Sequence, residues 1–441
     1  MIFPDFKNKK VLILGLGLLG RGLKDAIFFA EKGAQVTVTD LKTEKELASS
    51  LEKLKKYDIN YTLGKHKKED ILNADLIIRN AGIPLSSPFL KLAQRRKIPI
   101  EMDEALFAKY CPCPIIGITG TRGKSTTTKL IGEILKNNFP DKQIFISGNL
   151  QGEATLPLIN EVTKDDLVVL ELSSWQLQGF GWNKISPQIA VFTNIHPDHL
   201  NSYDSMEDYV ADKKNIFKFQ KKNDYCIINK ENSLTKKLDQ EVQSQKIWFN
   251  KKNVPSDWKF KLSGEHNLEN IAAALAVGRI LGLKDEQMKS AIENFQGVEH
   301  RLEFVRELNN IQFINDSTCT TPIAGKAALA STKKPIVLIA GGASKNLDLK
   351  DFAKDIVQKS KAVILLEGTA TDELEKKIIK QGGQNLIVGR FNDFEQAINH
   401  AYSLCLPGDT LLLSPGAASF GMFKNEFDRG DQFKKIVNQL K

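Results

Sequence analysis

Short apolar runs of four or five residues recur along the chain, each closed by a glycine-rich or polar break and followed by a longer amphipathic stretch. The first run, VLIL at 11–14, reads as a strand buried on both faces, because no polar position interrupts it. A glycine turn follows, then an amphipathic helix over 23–31 and strands at 35–39 and 76–79. Strands alternating with helices predict a parallel sheet covered on both sides. The segment YCPCP at 110–114 reads as a linker, since two prolines in three residues stop regular structure.

A second block opens with a strand at 115–119, a new glycine loop and a helix over 126–135. It continues through strands at 167–171 and 189–193 and closes with an alanine-rich helix at 268–281. A third block starts near Arg301, with strands at 311–314, 336–339, 362–366 and 410–414. The expected fold class is α/β with three domains. These are a Rossmann-like domain over 1–110, a P-loop-type ATPase domain over 111–300 and a Rossmann-like domain over 301–441.

Composition narrows the class. At 441 residues the chain exceeds one ordinary domain, and 41% hydrophobic with 26% charged residues suits globular cores. The longest apolar runs have strand length, far short of the ~18 residues of a membrane span. The first ten residues are polar and lead into a strand, so no signal peptide is expected and the expected location is the cytoplasm. Cys111, Cys113, Cys226, Cys319 and Cys405 are odd in number and scattered, which is no disulfide framework. Cys111 and Cys113 also lack zinc-knuckle spacing. The net charge of +9 is spread over lysines set beside glutamates, as at 44–46 and 52–53. Solvated helix faces read this way, not a nucleic-acid surface, and the surplus leaves a general attraction for anionic substrates.

Two glycine loops carry candidate chemistry. GLGLLG at 15–20 lies between a strand and a helix, and Asp40 ends the next strand twenty residues after Gly20. Glycines there allow a tight turn and close phosphate approach, and the acid can accept ribose hydroxyls. Alone, this favours an NAD(P)-dependent enzyme or another diphosphate nucleotide in the same turn. GITGTRGKS at 117–125 is a phosphate-type loop whose first glycine stands one residue earlier than strict P-loop spacing. Its backbone N–H groups can cradle phosphates, Lys124 can neutralise β and γ oxygens, and the Ser125 hydroxyl can ligate Mg2+. The strand at 167–171 ends in Glu171, a costly place for a carboxylate unless it is paired or metal-bound. Past the next strand, TNIHPDHLN at 193–201 holds two of six histidines, and His199 is the functional candidate.

Taken in order, GITGTRGKSTT (117–127), LELSSWQL (170–177), TNIHPDHL (193–200) and YVADKKNIF (209–217) resemble the Mur ligase family. So do GEHNLENIAAAL (264–275), EHRLE (299–303), NDSTCTT (315–321) and LLLSPGAASF (411–420), so the resemblance spans nearly the whole chain. LELSS-aromatic-QL, NDS-x-x-TT and SP-x-x-ASF are most similar to the D-glutamate-adding members. In that family the first domain binds a UDP moiety and no NAD. The resemblance implies an ATP-dependent ligase joining D-glutamate to UDP-N-acetylmuramoyl-L-alanine through an acyl phosphate. It implies ATP, two Mg2+ ions and CO2 held as a lysine carbamate, and a monomer with neither nucleic acid nor membrane as partner. A folylpolyglutamate synthase-like amide ligase is the alternative.

The resemblance also implies roles. Leu18, Leu19, Asp40, Lys42 and Gly82 would line the UDP site, with Asn149, Ser173 and His199 at the muramoyl end. Gly120, Gly123, Lys124, Ser125 and Thr126 would hold ATP phosphates, and Ser125, Glu171, His199 and Lys213 would serve the metal ions. Lys213 matches the carbamylated lysine, with Lys214 the alternative register; Lys124, His199 and Lys213 form the expected catalytic set. His266, Asn267, Asn270, Arg301 and Asp316 would contact adenosine or the γ-phosphate, and Thr320, Lys345, Ser419 and Phe420 would seat D-glutamate. Arg122, Asn201, Thr318 and Glu426 depart from the residues commoner in the family.

Overall fold

The computed structural model describes residues 3–18, 20–150, 154–198, 203–262, 264–333, 335–345 and 347–441. Among these the apolar runs build three sheets. The first contains β1 (Lys10–Leu14), β2 (Gln35–Asp40), β3 (Ile59–Leu63), β4 (Leu76–Arg79) and β5 (Ile100–Glu101). All pair in parallel, in the order 3-2-1-4-5. The second contains β6 (Ile115–Thr119), β7 (Ile144–Gly148), β8 (Leu167–Glu171), β9 (Ile189–Phe192), β10 (Tyr225–Asn229) and β11 (Gln245–Phe249). It is also parallel, in the order 11-10-9-6-8-7.

The third sheet contains β12 (Glu303–Leu308), β13 (Ile311–Asn315), β14 (Ile336–Gly341), β15 (Ser360–Leu366), β16 (Ile387–Phe391) and β17 (Thr410–Leu413). Its order is 12-13-17-14-15-16, parallel except for β12, which runs antiparallel to β13. Two compact units hold the sheets. One takes residues up to Lys259 with Glu265–Asn294 and contains the first two sheets. The other takes Phe260–Gly264 with Phe295–Lys441 and contains the third.

A single buried cluster runs through the first unit, from Phe28 and Phe29 through Met102, Leu106 and Phe107 to Leu170, Leu177 and Phe192. The helix Asp103–Tyr110 therefore joins the two sheets by burying Ala105, Leu106 and Phe107. Each such large apolar side chain contributes about 1.5–3 kcal/mol when fully buried. The third sheet has a core on each face, around Phe433 on one side and Phe352 on the other.

Chain order reverses direction beside β1, beside β6 and beside β17. Parallel sheets bind ligands at such points, outside the C-terminal strand ends. Every motif singled out above except the lysine-bearing helix and the segments 264–275 and 299–303 starts at one of these edges.

Candidate active site

The loop after β1 is held from within. Gly15, Gly17 and Gly20 all have positive φ, at 93°, 66° and 86°. Asp40 ends β2 beside it, and its carboxylate accepts the Gly17 N–H at 2.9 Å and the Lys42 N–H at 2.8 Å. Asp40 thus fixes the turn that would receive a nucleotide. Leu18 is exposed on that turn. Gly82 lies on the neighbouring loop after β4, its N–H held by Asn80 Oδ1 at 3.0 Å. Leu19 lies outside the described residues.

The loop after β6 is packed around its glycines. At Gly120, with φ 148°, a Cβ would fall 1.9 Å from Thr193 Oγ; at Gly123, with φ 79°, it would fall 2.2 Å from Asn270 Oδ1. A side chain at either position would have to displace a neighbour that holds the loop. Thr193 Oγ donates to the Arg122 carbonyl at 2.6 Å, and Asn194 Oδ1 accepts the Arg122 N–H at 2.9 Å. Helix Lys124–Asn138 begins directly after Gly123 without a side-chain cap. Its first N–H groups and positive dipole end are available to an anion, with Ser125 and Thr126 in the first turn. Lys124 Nζ folds back onto the Thr121 carbonyl at 3.1 Å. Asn270 binds Thr127 Oγ at 3.3 Å through Oδ1 and Asn267 Oδ1 at 2.9 Å through Nδ2. His266 opens the same helix, His266–Ile280.

Glu171 closes β8 in a buried position. Its Oε1 accepts from Asn149 Nδ2 at 2.9 Å, while its buried Oε2 has no hydrogen-bond partner among the described residues. An orphaned buried carboxylate oxygen is costly, and a cation is a fitting partner. Among the described residues no group of three His, Cys, Asp or Glu side chains is placed to hold a metal ion. Mg2+ suits such a sparse set, since it keeps several waters and binds substrate phosphates. Asn149 is also bound by Arg21, whose Nη2 reaches its Oδ1 at 3.2 Å and the Leu150 carbonyl at 3.3 Å. Ser173 caps helix Ser174–Asn183 in a reciprocal box with Gln176, its hydroxyl accepting the Gln176 N–H at 3.2 Å.

Helix Met206–Lys214 separates its two terminal lysines. Lys213 is 2% exposed and donates from Nζ to the Gly120 carbonyl at 2.9 Å. Lys214 has a side chain 25% exposed and pairs with Glu241 at 2.7 Å. Burial, then the Lys124 charge, pushes the Lys213 ammonium well below the ordinary lysine range, against opposing pulls from Asp198, Glu171 and Asp212. A neutral amine is thereby favoured beside the phosphate loop. His199 and Asn201 lie outside the described residues.

In the second unit, Asp316 follows β13 and accepts the Leu302 N–H at 3.1 Å and the Ser414 hydroxyl at 2.9 Å. Burial raises its pKa to about 7. Arg301, exposed, sits between His300 and Leu302, both with left-handed backbones at φ 61° and 45°. Lys345 Nζ donates to Thr320 Oγ at 2.8 Å, bringing together two residues that the sequence left 25 apart. Ser419 is buried, its hydroxyl without a hydrogen-bond partner among the described residues, and Phe420 beside it is 59% exposed. Beneath them Arg429 is fully buried, giving hydrogen bonds to the Ser317 hydroxyl at 3.0 Å and carbonyl at 2.8 Å.

Arg21, Thr193, Asn194 and Arg429 were given no role from sequence. For Arg21 a signal existed, a cation directly after the glycine loop; Arg429 sits in a polar helix with none.

Three family models match in sequence order: a Mur ligase MurD-like N-terminal domain over 9–101, a Mur ligase middle domain over 118–258 and a Mur ligase glutamate ligase domain over 300–416. A UDP-N-acetylmuramoylalanine–D-glutamate ligase of Roseiflexus sp. (strain RS-1) is 39% identical, with 98% of this chain and 99% of the relative covered. One from Clostridium tetani is 37% identical, with 99% of each covered. Among solved structures, the UDP-N-acetylmuramate-alanine ligase MurC of Thermotoga maritima superposes with a TM-score of 0.65 at 20% identity, covering 98% of this chain and all of that one. MurF ligase from Thermotoga maritima in complex with ADP gives 0.59 at 19% identity, covering 99% and 97%. With full-length identity at this level and the three-domain α/β fold in common, the chain belongs to the Mur ligase family of ATP-dependent ligases.

Proposed function

We propose that the protein joins D-glutamate to UDP-N-acetylmuramoyl-L-alanine with ATP, in the cytoplasm, as a step of peptidoglycan synthesis. The observation that carries this is the arrangement around the phosphate loop. An uncapped helix start with Lys124, an orphaned Glu171 oxygen and a buried Lys213 on the Gly120 carbonyl share one sheet edge. The names of the full-length relatives supply the substrates. Residues 1–110 would bind the UDP moiety, 111–300 ATP and 301–441 the amino acid.

A carboxylate is a poor acyl donor because oxide is no leaving group. Its oxygen attacks the γ-phosphorus of ATP, the bond to the β-phosphate oxygen breaks, and an acyl phosphate and ADP form. Lys124 and the helix start bear the charge of the transferring group. Bound Mg2+ would neutralise phosphate oxygens, held by Ser125, Glu171, His199 and a carbamate on Lys213. The low proton affinity of Lys213 favours that carbamate, because CO2 adds only to a neutral amine. The D-glutamate nitrogen then attacks the acyl carbon, and the tetrahedral oxyanion collapses to amide and phosphate. The amine must lose its proton, to His199 or to another base nearby. Thr320, Lys345, Ser419 and Phe420 would receive D-glutamate, and Asn267, Asn270, Arg301 and Asp316 the nucleotide.

The test is phosphate release from ATP, screened across UDP-muramoyl acceptors and amino acids. Release should require UDP-N-acetylmuramoyl-L-alanine and D-glutamate together. Equal turnover with glycine or with a folate acceptor would refute the assignment.

A further inference from the structure

The linker between the first and second sheets holds a feature that ligation does not use. Cys111 and Cys113 place their sulfurs 3.7 Å apart across exposed Pro112. We propose that Cys111 and Cys113 form a thiol-oxidation site, in which Cys111 reacts with a low-molecular-weight disulfide and Cys113 resolves the product into an intrachain disulfide.

The two cysteines are placed for different tasks. Cys111 is half-buried and reachable, whereas Cys113 is 4% exposed and part of the core. The two thiols share a hydrogen bond, and the Cys111 thiol also reaches the Cys113 carbonyl at 3.6 Å; the contact between the sulfurs lowers the Cys111 pKa while raising that of Cys113. Thiolate character, access and a neighbouring second thiol are what reversible oxidation selects. The other cysteines lack this combination, since Cys226 and Cys319 are buried and burial pushes the thiols of Cys226, Cys319 and Cys405 up.

The segment is anchored at both ends. The Cys111 N–H caps the preceding helix on the Phe107 carbonyl at 2.9 Å, and the Ile115 N–H is held by Gln188 Oε1 at 2.8 Å. The sulfurs must close from 3.7 Å to a bond of about 2.05 Å, a movement that side-chain rotation and residues 111–113 can share.

The chemistry balances without a metal. The Cys111 thiolate attacks one sulfur of the disulfide RSSR, forming a mixed disulfide and expelling RS−. Cys113 then loses its proton and attacks the Cys111 sulfur, expelling the second RS−. One disulfide is reduced to two thiols as two protein thiols are oxidised to one disulfide.

The experiment equilibrates the full reduced chain across a series of reduced and oxidised glutathione ratios, then alkylates remaining thiols in denaturant. Trypsin cuts after Lys109 and Arg122, releasing both cysteines in one peptide that contains no other. That peptide should pass from two labels to none while the Cys226 and Cys319 peptides stay labelled. Cys113→Ser should instead trap glutathione on Cys111, and Cys111→Ser should leave Cys113 labelled. Under native conditions Cys111 should alkylate at least about 10-fold faster than Cys113. A doubly labelled peptide across the whole series would overturn the proposal. So would a stable glutathione adduct on the unmutated chain, which would show that Cys113 does not resolve it.

Discussion

The two glycine loops share a backbone and differ in what surrounds it. Gly20 and Gly123 each precede a helix in nearly the same left-handed conformation, at φ 86°, ψ −10° and φ 79°, ψ −8°, and neither helix has a side-chain cap. After β1 a carboxylate holds the turn, Asp40 taking N–H groups from Gly17 and Lys42. After β6 neutral groups hold it, Thr193 and Asn194, while Lys124 and Lys213 both reach its carbonyls. Equal geometry with opposite charge suits different loads. On the proposed function, the second loop would meet the concentrated charge of a transferring phosphoryl group, and the first would support a nucleotide that does not react.

That contrast can be broken at its strongest point. Lys213→Ala should remove ligation by on the order of 10²–10³-fold, as loss of a charge-stabilising group at a reacting centre does. Added short carboxylic acids should restore part of the rate. Lys214→Ala, which cuts only the pair with Glu241, should stay near wild type. Full activity in the first variant and loss in the second would reverse the assignment.

Next in size is Lys345→Ala, which removes an ammonium held at Thr320. The KM for D-glutamate should rise about 10-fold, with trapped acyl phosphate unchanged, since the amino acid enters only at the second step. An unchanged KM for D-glutamate sinks this reading.

Asp40→Ala should act on the first loop alone. It frees two backbone N–H groups and should raise the KM for the UDP substrate several-fold, about 5-fold, with little change for ATP. An equal rise for both nucleotides would mean that the loops do not divide the work. The smallest effect concerns pH. The folded pKa of Asp316, about 7, lies above the ordinary carboxylate value. Its stabilisation is therefore full below about pH 4 and lost as pH rises through about 7. Asp316→Asn should flatten the fall in melting temperature between about pH 4 and about pH 7. A fall equally steep in both proteins would remove Asp316 as its cause.

Much of this was legible in sequence because it depends on local order. The buried parallel strands at 11–14, 115–119 and 336–339 announce themselves by unbroken apolar runs, and the glycine loops by their spacing. β12 was not legible, because it is an antiparallel edge strand with an exposed Phe304 and a bulge at Phe304/Arg306. Its residues show no run and no clean alternation. Strands β10 and β11 extend the second sheet on one side after a stretch rich in lysine and asparagine, where polar neighbours hide a short apolar core. In DKK at 212–214 composition cannot choose between adjacent lysines; only the helix's orientation buries one and leaves the other partly exposed. The hold of Arg21 on Asn149 joins residues 128 apart, beyond any local pattern.

That last contact has a thermodynamic consequence. One amide, Asn149, is divided between Glu171 at the phosphate-loop edge and Arg21 at the start of the helix that follows the first glycine loop. Any ligand that draws on Glu171 changes the terms on which Asn149 holds Arg21, and a ligand at the first loop acts back along the same two hydrogen bonds. If both places bind ligands as proposed, their binding would share a coupling free energy through these bonds. By reciprocity, whatever factor a cation adds to nucleotide affinity at one end, the nucleotide must return to the cation at the other.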